Sequence, residues 1–467
     1  MLSHLAIVSA KFTTWVLRKT GRGAATTLPG RIARQIDPQV LSKLSAQIKH
    51  RLFLVTGTNG KTTTSSLLHH LHTISGLSMI YNRGGANLVT GLTSTMIQST
   101  NAYGKLKSGS LGVLETDEAN MPKACKEIEP QYVVVTNFFR DQLDRFGELD
   151  HTVDLVRRGI KALPAGSKVF LNADDPLVAS LAERIDLEYI FFGLDDLNLT
   201  RTEMDQSAEA YLCPHCGEVL KYNYFYYAHH GDYLCHHCGF KRPQPTYTLS
   251  NVHIKGLMGN EFTLNCPNSS LNLKSNLPGV YNLYNVLAAS TAYVETSDCS
   301  QLFDNLTEGL LSLPPAFGRM ESFTLESKKI YMALVKNPTG CNEVIRTFLS
   351  TEEPLNLLFI LNDRAADGTD ISWIWDADFE VLIKYKDRIN SLTVSGMRAA
   401  ELALRLKYAG LDIELHDIVV KPEQAFERAY SNLSSEQSLH VMPTYTAMLV
   451  LRDYFVSRGY LQEYWKE

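Results

Sequence analysis

Short apolar runs that end in polar residues recur along the chain from residue 51 onward. "RLFLVTG" (51–57), "LGVLETDE" (111–118) and "YVVVTN" (132–137) have the length and composition of buried strands. The first run is followed by "KTTTSSLLHHLHTISG" (61–76), in which apolar residues recur at helical spacing and a glycine marks the end. Strands that alternate with helices predict an α/β fold with a parallel sheet. Ligands of such sheets bind at the carboxyl ends of the strands, where the polar residues fall here.

Breaks in this alternation predict the domain organisation. Residues 1–50 have a helical pattern and form an N-terminal segment, and residues 51–312 form a central α/β domain. A stretch rich in Tyr, His and Cys, at about 203–247, interrupts the central domain as an inserted module. The alternation restarts after the proline-containing "LPPAFGRME", so residues 313–467 form a C-terminal α/β domain with a Rossmann-like pattern. A length of 467 residues agrees with about three such units.

The composition narrows the class of protein. The chain is 45% hydrophobic and 20% charged with a net charge of −5, which is typical of a soluble globular protein and gives no basic excess for nucleic acid. No apolar run reaches the length of a membrane span. The segment "LAIVSAKFTTWVLRKTGR" (5–22) lacks the features of a signal peptide, because Lys11 interrupts its apolar run. Two interpretations stay open: a helix packed on its own domain, or a basic amphipathic helix on a membrane surface.

The segment "VTGTNGKTTT" (55–64) follows a predicted strand and opens a predicted helix, which is where a phosphate-binding loop belongs. It retains G-x-x-G-K-T, although Val55 stands where the first glycine of the full pattern belongs. The lysine would meet the β- and γ-phosphates and the next threonine would bind Mg²⁺. The alternative is a glycine turn with a solvated lysine. The predicted nucleotide-binding residues here are Gly57, Thr58, Asn59, Gly60, Lys61, Thr62 and Thr63.

Acidic residues follow other strands. Glu115 ends one strand, and a carboxylate at that position can hold Mg²⁺ directly or through water. Asp117 and Glu118 come next, and a solvated acidic turn is the alternative interpretation for Glu115 and, with more weight, for these two neighbours. "LNADDP" (171–176) also ends a strand, where its polar groups could meet a ribose or a base.

Four of the eight cysteines form two C-x-x-C pairs inside the inserted module. "CPHCG" (213–217) and "CHHCG" (235–239) supply four thiolates at a spacing that suits structural Zn²⁺ in a reduced cytoplasmic protein. Four protein ligands leave no open position for catalysis. The predicted zinc ligands are Cys213, Cys216, Cys235 and Cys238; competition from His215, His236 or His237, or two unrelated thiol pairs, are the alternatives. The aromatic run "YNYFYY" between the pairs suits packing better than a nucleic-acid platform.

"ILNDRAADGTDISWIWD" (360–376) begins as a buried strand and then places four carboxylates around two tryptophans. A calcium loop is excluded, because counting from Asp363 puts Ala365 and Ile374 where ligands are required. The plain alternative is that Asp363 and Asp367 cap turns while Trp373 and Trp375 pack beneath the loop.

Several stretches together resemble the Mur ligase family in sequence order: the phosphate loop, Glu115, "TNFFRDQLDRFG" (136–147), "LNADDP", "GVYNLYNVLAA" (279–289) and "FGRME" (317–321). The resemblance implies a Mur ligase-like ATPase domain that makes an acyl phosphate from a carboxylate and ATP. It implies that Glu115 binds Mg²⁺, that Asn282 approaches adenine, and that Arg319 faces the γ-phosphate. Departures occur at Gln142 and Tyr281, where the family commonly has histidine, and at "LVKNPTG" (334–340), which lacks the usual aspartate. These departures put the binding of an amino-acid nucleophile in doubt.

The acidic loop and the helical stretch "SGMRAAELALRLKYAG" (395–410) closely resemble the C-terminal domain of the MurT family, the Mur-ligase-like subunits of lipid II isoglutaminyl synthases. An inserted four-cysteine ribbon is that family's other hallmark. The resemblance implies a heterodimer with a GatD-like class I glutaminase, which has a nucleophilic Cys and a His but no obvious third residue. Asp370 would supply that acid from a loop anchored by Trp373 and Trp375, since a triad acid orients the histidine and stabilises its charged form.

The implied function is ATP-dependent amidation of the D-Glu α-carboxylate of the lipid II stem peptide to D-isoglutamine. Its cofactors would be ATP, Mg²⁺ and structural Zn²⁺. The protein would be cytoplasmic and work at the inner face of the cell membrane, with no nucleic acid as a partner. Three alternatives stay open: a stand-alone Mur or folylpolyglutamate-type amino-acid ligase, a zinc-ribbon nucleic-acid-binding ATPase, and a scaffold that only activates a glutaminase.

Overall fold

The computed structural model describes most of the chain, and the following account is restricted to those residues. They are residues 2–19, 26–48, 51–82, 86–101, 103–140, 149–205, 208–297, 301–313 and 320–461.

A nine-stranded sheet forms the central domain, and a two-stranded hairpin is inserted into it. In chain order the strands are β1 (Leu52–Thr56), β2 (Met79–Tyr81), β3 (Leu111–Glu115), β4 (Tyr132–Val135), β5 (Lys168–Asn172), β6 (Glu188–Leu194), β7 (Lys221–Tyr227), β8 (His230–Leu234), β9 (Tyr247–Ile254), β10 (Asn260–Cys266) and β11 (Ser269–Ser275). The sheet order is β11-β10-β9-β6-β5-β4-β1-β3-β2, and β7 pairs with β8 in a separate two-stranded sheet. Neighbouring strands from β9 through β6, β5, β4, β1 and β3 to β2 pair in parallel. The pairs β9–β10 and β10–β11 are antiparallel. The predicted α/β fold is therefore confirmed, with a mixed rather than purely parallel sheet.

Helices cover both faces of this sheet. They are α1 (Leu2–Lys19), α2 (Leu28–Ile36), α3 (Val40–Ser45), α4 (Lys61–Ile74), α5 (Val89–Gln98), α6 (Met121–Ile128), α7 (Leu149–Lys161), α8 (Pro176–Ala179), α9 (Val280–Thr296) and α10 (Leu302–Ser312). Alternate residues of β1 enter opposite cores: Leu52 and Leu54 pack with α1–α3 and α5–α7, whereas Phe53 and Val55 pack with α4, α9 and α10. This two-sided burial explains why the strand is a continuous apolar run.

The helices of the N-terminal segment are part of the first of these cores. Ala6, Ile7 and Ala10 of α1 are buried in it, and Ala33 and Val40 from the next two helices join them. The interpretation of the N-terminal helix as one that packs on its own domain is therefore borne out for one face of α1. None of the described helices is both long and apolar enough to cross a membrane.

A second sheet of six strands forms the C-terminal domain. Its strands are β12 (Glu321–Leu325), β13 (Lys328–Met332), β14 (Leu355–Ile360), β15 (Ile389–Ser395), β16 (Ile418–Val419) and β17 (Ser438–Pro443), in the order β12-β13-β17-β14-β15-β16. Its helices are α11 (Pro338–Leu349), α12 (Ala399–Tyr408), α13 (Pro422–Ser431) and α14 (Tyr445–Ser457). β12 and β13 pair antiparallel and the other pairs are parallel. The acidic loop thus leaves the carboxyl end of β14, a central strand, where α/β sheets bind ligands and partners.

Candidate functional site

The loop between β1 and α4 wraps back on itself as a phosphate-binding loop does. Gly57 and Gly60 have positive φ angles of 121° and 83°, which glycine adopts without strain. Gly60 is also crowded, because a Cβ added there would lie 1.9 Å from the Oδ1 atom of Asn285 on α9. A side chain at this position would therefore displace the Asn285 side chain.

The carboxyl end of β4 holds the loop in this shape. The backbone N–H of Thr58 donates to the carbonyl of Asn137 at 2.9 Å, and the N–H of Asn59 donates to the Asn137 side-chain oxygen at 2.9 Å. The Thr136 hydroxyl donates to the Asn59 carbonyl at 2.8 Å. These contacts fix the loop before any ligand arrives, which lowers the entropy cost of binding a phosphate.

Lys61 opens α4 and is buried beneath the loop. Its ammonium donates to the Gly57 carbonyl at 2.5 Å and lies 3.3 Å from the carboxylate of Glu118. Burial raises the pKa of Glu118 and the nearby ammonium opposes that shift. The interpretation of Asp117 and Glu118 as a solvated acidic turn is wrong, since they are only 7% and 5% exposed. The turn faces the phosphate loop because β3 lies directly beside β1.

Glu115 is placed as a magnesium ligand would be. It is 3% exposed and pairs in register with Val55, two residues before the phosphate loop. Among the described residues its Oε2 atom has no hydrogen-bond partner. An unpaired carboxylate oxygen in a buried site is costly unless a cation or a water satisfies it. Hard oxygen donors of this kind suit Mg²⁺, so Glu115 and the half-buried Thr62 fit that ion.

Asn282 and Asn285 lie on the first turns of α9, beside the phosphate loop. The Asn285 amide donates to the Asn282 side-chain oxygen at 2.9 Å, and the Asn282 amide donates to the carbonyl of Pro278 at 2.7 Å. Asn285 was not singled out from the sequence, although its spacing of three residues from Asn282 puts both on one helix face. The pair connects the loop at Gly60 with the start of α9.

A cleft of about 340 Å³ opens between the two domains at that point. The central domain contributes Gly279 and Val280 at the start of α9, and the C-terminal domain contributes Glu343, Arg346 and Thr347 of α11. Val280, which lines the cleft, precedes Asn282 by two residues on α9. The start of α9 thus lines this cleft and also carries Asn282 and Asn285 beside the phosphate loop.

The stretch "LVKNPTG" brings the C-terminal domain to the phosphate loop. The Asn337 amide donates to the side-chain oxygen of Asn59 at 3.1 Å, and the Asn337 oxygen accepts from the N–H of Gly340 at 2.8 Å as the cap of α11. Further along α11, the Arg346 guanidinium binds Asp205 of the central domain at 2.6 and 2.9 Å. The stretch that lacks the family's usual aspartate thus joins the two domains through Asn337. Arg319 and Gln142 lie outside the described residues.

The four ribbon cysteines converge. The Sγ atoms of Cys213 and Cys238 are 3.5 Å apart, as are those of Cys216 and Cys235, and all four lie within 4.8 Å of one another. Zn–S bonds of about 2.3 Å in a tetrahedron put sulfurs about 3.8 Å apart, so the donor set fits zinc. Each C-x-x-C pair repeats the same turn, in which the first cysteine accepts from the glycine N–H and donates its own N–H to the residue after that glycine.

The aromatic run between the pairs serves packing, as the sequence predicted. Tyr226 and Tyr233 of the hairpin are buried, and their hydroxyls donate to the carbonyls of Leu194 and Ala173, both at 3.0 Å. The ribbon is therefore fixed to the central sheet. The His215 ring packs on Phe240 with centroids 4.3 Å apart, and no histidine joins the cysteine cluster among the described residues.

A second group of metal-ligating side chains, absent from the sequence predictions, is fully buried nearby. The Nε2 atoms of His229 and His230 lie 3.5 and 3.4 Å from the two carboxylate oxygens of Asp175. The Nδ1 atom of His229 accepts from the backbone N–H of Glu209 at 3.4 Å, which puts the ring proton on Nε2, towards the carboxylate. Burial alone would raise the pKa of Asp175, but both histidines and these contacts hold it below its ordinary range. Among the described residues the two Nε2 atoms make no hydrogen bond of good geometry, whereas the Asp175 oxygens accept from the backbone N–H groups of Phe138 and Leu177 at 2.9 Å each.

The "LNADDP" stretch does not face a nucleotide. Asp174 is buried and binds the Arg242 guanidinium at 2.7 Å and the Tyr284 hydroxyl at 2.7 Å, while Asp175 caps α8 through the N–H of Leu177 at 2.9 Å. The idea that these residues meet a ribose or base is therefore wrong. The strand end is covered by the inserted ribbon, which the sequence pattern could not place.

The four acids of the acidic loop have separate environments. Asp367 is buried and accepts from the backbone and hydroxyl of Thr446 at 2.6 Å each and from the N–H of Arg364 at 3.1 Å, so it caps both a turn and α14. Asp363 is not a turn cap, because it forms an ion pair with Arg398 at 2.6 Å. Asp376 lies 3.9 Å from the Arg140 guanidinium of the central domain.

Like Asp376, whose side chain is 55% exposed, Asp370 lies at the surface. It is half-exposed and its Oδ1 accepts from the N–H of Ser372 at 2.8 Å, at the start of a 3-10 helix (Ser372–Trp375). The buried Arg405 of α12 fixes that helix by donating to the Ile374 carbonyl at 3.0 Å. Trp373 packs partly against the domain core, whereas Trp375 is 49% exposed beside Arg405. The loop is thus fixed at its base and presents the carboxylates of Asp370 and Asp376 and the indole of Trp375 outward.

Comparison with known proteins agrees with this geometry. The model of the Mur ligase middle domain matches residues 55–224, and the model of the MurT ligase C-terminal domain matches residues 334–448. The chain is 36% identical over 450 residues to the "Lipid II isoglutaminyl synthase (glutamine-hydrolyzing) subunit MurT" of Staphylococcus aureus (strain N315), covering 96% of each chain. It is 33% identical over 462 residues to the subunit of the same name from Streptococcus pneumoniae (strain ATCC BAA-255 / R6), covering 97% of each.

The fold has solved counterparts. A pseudomurein peptide ligase type C from Methanothermus fervidus superposes with a TM-score of 0.64 at 21% identity, over 89% of this chain and 80% of that one. At this identity the likeness supports the Mur ligase-like α/β fold and no finer statement.

Proposed function

The chain belongs to the MurT family of lipid II isoglutaminyl synthase subunits, and from that premise we propose that it is the ATP-dependent amidating subunit of such an enzyme. Its substrate would be the D-Glu α-carboxylate of the lipid II stem peptide, its product D-isoglutamine, and its place of work the inner face of the cell membrane. The observation that carries this proposal is the near full-length identity to named subunits, together with a phosphate loop whose side chains fit MgATP.

The chemistry needs two displacements. An oxygen of the substrate carboxylate attacks the γ-phosphorus of ATP, and the bond to the β-phosphate oxygen breaks to release ADP. Ammonia then attacks the acyl carbon, and phosphate leaves with the bonding electron pair while a proton is lost from nitrogen. Mg²⁺, when bound, would neutralise charge on the transferred phosphoryl group.

Residues of the phosphate loop would position the nucleotide for the first displacement. Lys61 would leave the Gly57 carbonyl to meet the β- and γ-phosphates, and the N–H groups of Thr62 and Thr63 at the start of α4 would point at the same anion. Glu115 would bind Mg²⁺ with its unpaired oxygen. Asn282 would approach adenine at the domain cleft, and Arg319 would act on the γ-phosphate.

Ammonia would come from a GatD-like class I glutaminase bound to the C-terminal domain. Asp370 would complete the partner's Cys and His as the acid that orients the histidine and stabilises its charged form. Its support is the geometry of the loop: a half-exposed carboxylate on a base fixed by Asp367 and Arg405. A rigid loop can deliver an acid to a partner without a further entropy cost.

The four cysteines would bind one structural Zn²⁺. The ion would hold the two turns of the ribbon together. The hydroxyls of two buried hairpin tyrosines fix the same ribbon to the central sheet. All four positions of a tetrahedral ion would be filled by protein, so the ion would take no part in the reaction.

Reconstitution tests the function. The purified chain and a class I glutaminase partner are incubated with lipid II, ATP, Mg²⁺ and glutamine, and mass spectrometry follows replacement of a carboxyl oxygen by nitrogen. We expect amidation by the wild type and none by Lys61→Ala, while glutamine hydrolysis by the variant complex persists. Amidation that survives in Lys61→Ala, or its absence in the wild type, would contradict the proposal.

The same reagents separate the alternatives. ATP turnover that depends on a free amino acid, with no partner present, would identify a stand-alone ligase. Salt-dependent binding of DNA or RNA would identify a nucleic-acid-binding ATPase. Activation of the partner's glutaminase without any amidation of lipid II would identify a scaffold, whereas loss of amidation but not of glutaminase activity in Lys61→Ala would exclude it.

A further inference from the structure

The N-terminal helix α1 has two apolar faces, and only one of them is covered. Ala6, Ile7, Ala10 and Thr14 are buried against the central domain. The opposite face exposes large apolar side chains, and they recur at intervals of three or four residues, which places them on one stripe. The stripe consists of Leu2, Leu5, Val8, Phe12 and Trp15, exposed by 61%, 55%, 46%, 63% and 56%.

This stripe is more than a scatter of single exposed residues. Phe12 and Trp15 stack with ring centroids 5.9 Å apart, and the Lys19 ammonium lies 5.0 Å from the Trp15 ring. Five large apolar groups on one stripe of a helix form an exposed apolar patch of the kind that marks an interaction site. Aromatic rings with a cation at their edge are typical of helices that lie at a lipid–water boundary.

The charge of this end of the molecule indicates what covers the stripe. The first 36 residues contain six lysines and arginines and no acidic residue, although the whole chain has a net charge of −5. The nearest acid in sequence, Asp37, is buried and paired with Lys43 at 2.8 Å. Arg34 is also paired, with Glu127 at 2.6 Å, but Arg18 and Lys19 are exposed at the end of α1. An apolar stripe next to such basic residues complements an anionic lipid surface.

A neighbouring loop extends the same character. The Lys11 ammonium donates to the carbonyls of Thr100 and Asn101, which fixes residues 100–101 beside the middle of α1. The loop then exposes Tyr103, by 81%, and Lys105. Aromatic and cationic groups from two neighbouring segments are therefore exposed around α1.

From these observations we propose that the stripe of α1, with the adjacent loop, is a peripheral docking surface for an anionic membrane. The helix lies in the membrane surface rather than across it, because its buried face is held by α2 and α5. Membrane binding itself does not depend on the proposed function, but its benefit does. A lipid-linked substrate reaches the active site more often if the enzyme is already at the bilayer.

Vesicle flotation tests the surface directly. Full-length protein is mixed with vesicles of phosphatidylcholine alone or of phosphatidylcholine with phosphatidylglycerol, in low and high salt. We expect binding to the anionic vesicles that weakens with salt, and a loss of about tenfold or more in the partition coefficient for the double variant Phe12→Ser, Trp15→Ser. Leu415→Ser is the matched control, because Leu415 is 90% exposed on the C-terminal domain.

Other results would overturn the proposal. Wild-type protein that stays with the unbound fraction, or a double variant that floats like the wild type, contradicts a membrane surface. So does a double variant that loses its glutaminase partner or its self-association in vesicle-free solution, because the stripe would then be a protein interface. Unchanged nucleotide binding and circular dichroism confirm that the variant is folded.

Activity measurements separate this inference from the proposed function. We expect the double variant to amidate a water-soluble stem-peptide substrate at the wild-type rate and vesicle-borne lipid II more slowly. If neither substrate is amidated by the wild type, the proposed function fails while flotation still decides the docking surface. Equal rates of lipid II amidation in variant and wild type would show that the stripe serves no membrane step.

Discussion

Replacing Gly60 by alanine tests the central geometric claim about the phosphate loop. The new Cβ would lie 1.9 Å from the Asn285 side-chain oxygen, and the backbone would keep a left-handed φ of 83°. The conformation costs about 1–2 kcal/mol for any L-residue. Moving Asn285 away would break its 2.9 Å hydrogen bond to Asn282, at about 1 kcal/mol or more when the groups are buried. We therefore expect Gly60→Ala to destabilise the central domain by about 3 kcal/mol.

Gly166→Ala is the matched control for the backbone contribution. Gly166 has a φ of 78°, and a Cβ added there meets nothing within 4 Å. It should lose only the conformational cost of about 1–2 kcal/mol and bind ATP normally. Urea unfolding followed by circular dichroism measures the stability, and calorimetric titration with a non-hydrolysable ATP analogue measures the affinity. Gly60→Ala should also weaken the nucleotide by about tenfold or more, since the loop amides move with the Cα.

A second-site change isolates the steric contribution. Asn285→Ala removes the obstructing oxygen, so the double variant with Gly60→Ala should lose less stability than the two single losses added together. If Gly60→Ala and Gly166→Ala lose the same stability and retain the same affinity for the nucleotide, the close approach of α9 to the loop is wrong.

Four further predictions concern the remaining sites. Asp370→Asn should leave ATP affinity unchanged and lower glutamine hydrolysis by the complex about 10⁴-fold, the cost of losing the acid in a comparable triad, while amidation from added ammonia persists; unchanged glutaminase would exclude the assignment. Glu115→Gln should raise the Mg²⁺ concentration needed for ATP turnover, and an identical magnesium titration would contradict that role. Cys213→Ala should lose zinc in a metal analysis and lower the thermal midpoint; wild type without zinc would refute the site. Burial lowers the pKa of His440 to about 4, so the unfolded state takes up its proton first as pH falls. The free energy of unfolding of the C-terminal domain should therefore fall by about 2 kcal/mol between pH 7 and pH 5. His440→Phe should flatten this dependence of stability on pH, and an unchanged dependence would show that another group titrates.

Local pattern determined a large part of this protein. The strand before Gly57 and the helix after it follow from an apolar run, a glycine turn and helical spacing, all of which act within about twenty residues. The two C-x-x-C pairs predicted a cluster of four thiols because each pair sets its own turn, and the four sulfurs do meet. The α/β class followed in the same way from repeated alternation.

Tertiary structure decided which polar groups face a ligand. Glu118 and Asp174 both follow strands and look alike in sequence, yet one lies against Lys61 and the other is paired with Arg242 beneath the ribbon. Glu118 lies against Lys61 because its strand, β3, is the neighbour of β1 in the sheet. Asp174 is covered because the inserted module packs on the end of its strand, β5. Neither of these is encoded near the residue itself.

The acidic loop shows the same division. Sequence placed four carboxylates in one stretch, but the partners that separate them come from distant segments: Thr446 for Asp367, Arg398 for Asp363 and Arg140 for Asp376. Asp370 differs because its carboxylate accepts from the Ser372 N–H within the loop and stays half-exposed, with no ion pair to a distant segment among the described residues. Tertiary packing also decides which face of α1 is exposed. Helical spacing shows that α1 has two apolar faces, and only the packing shows which of them the domain covers.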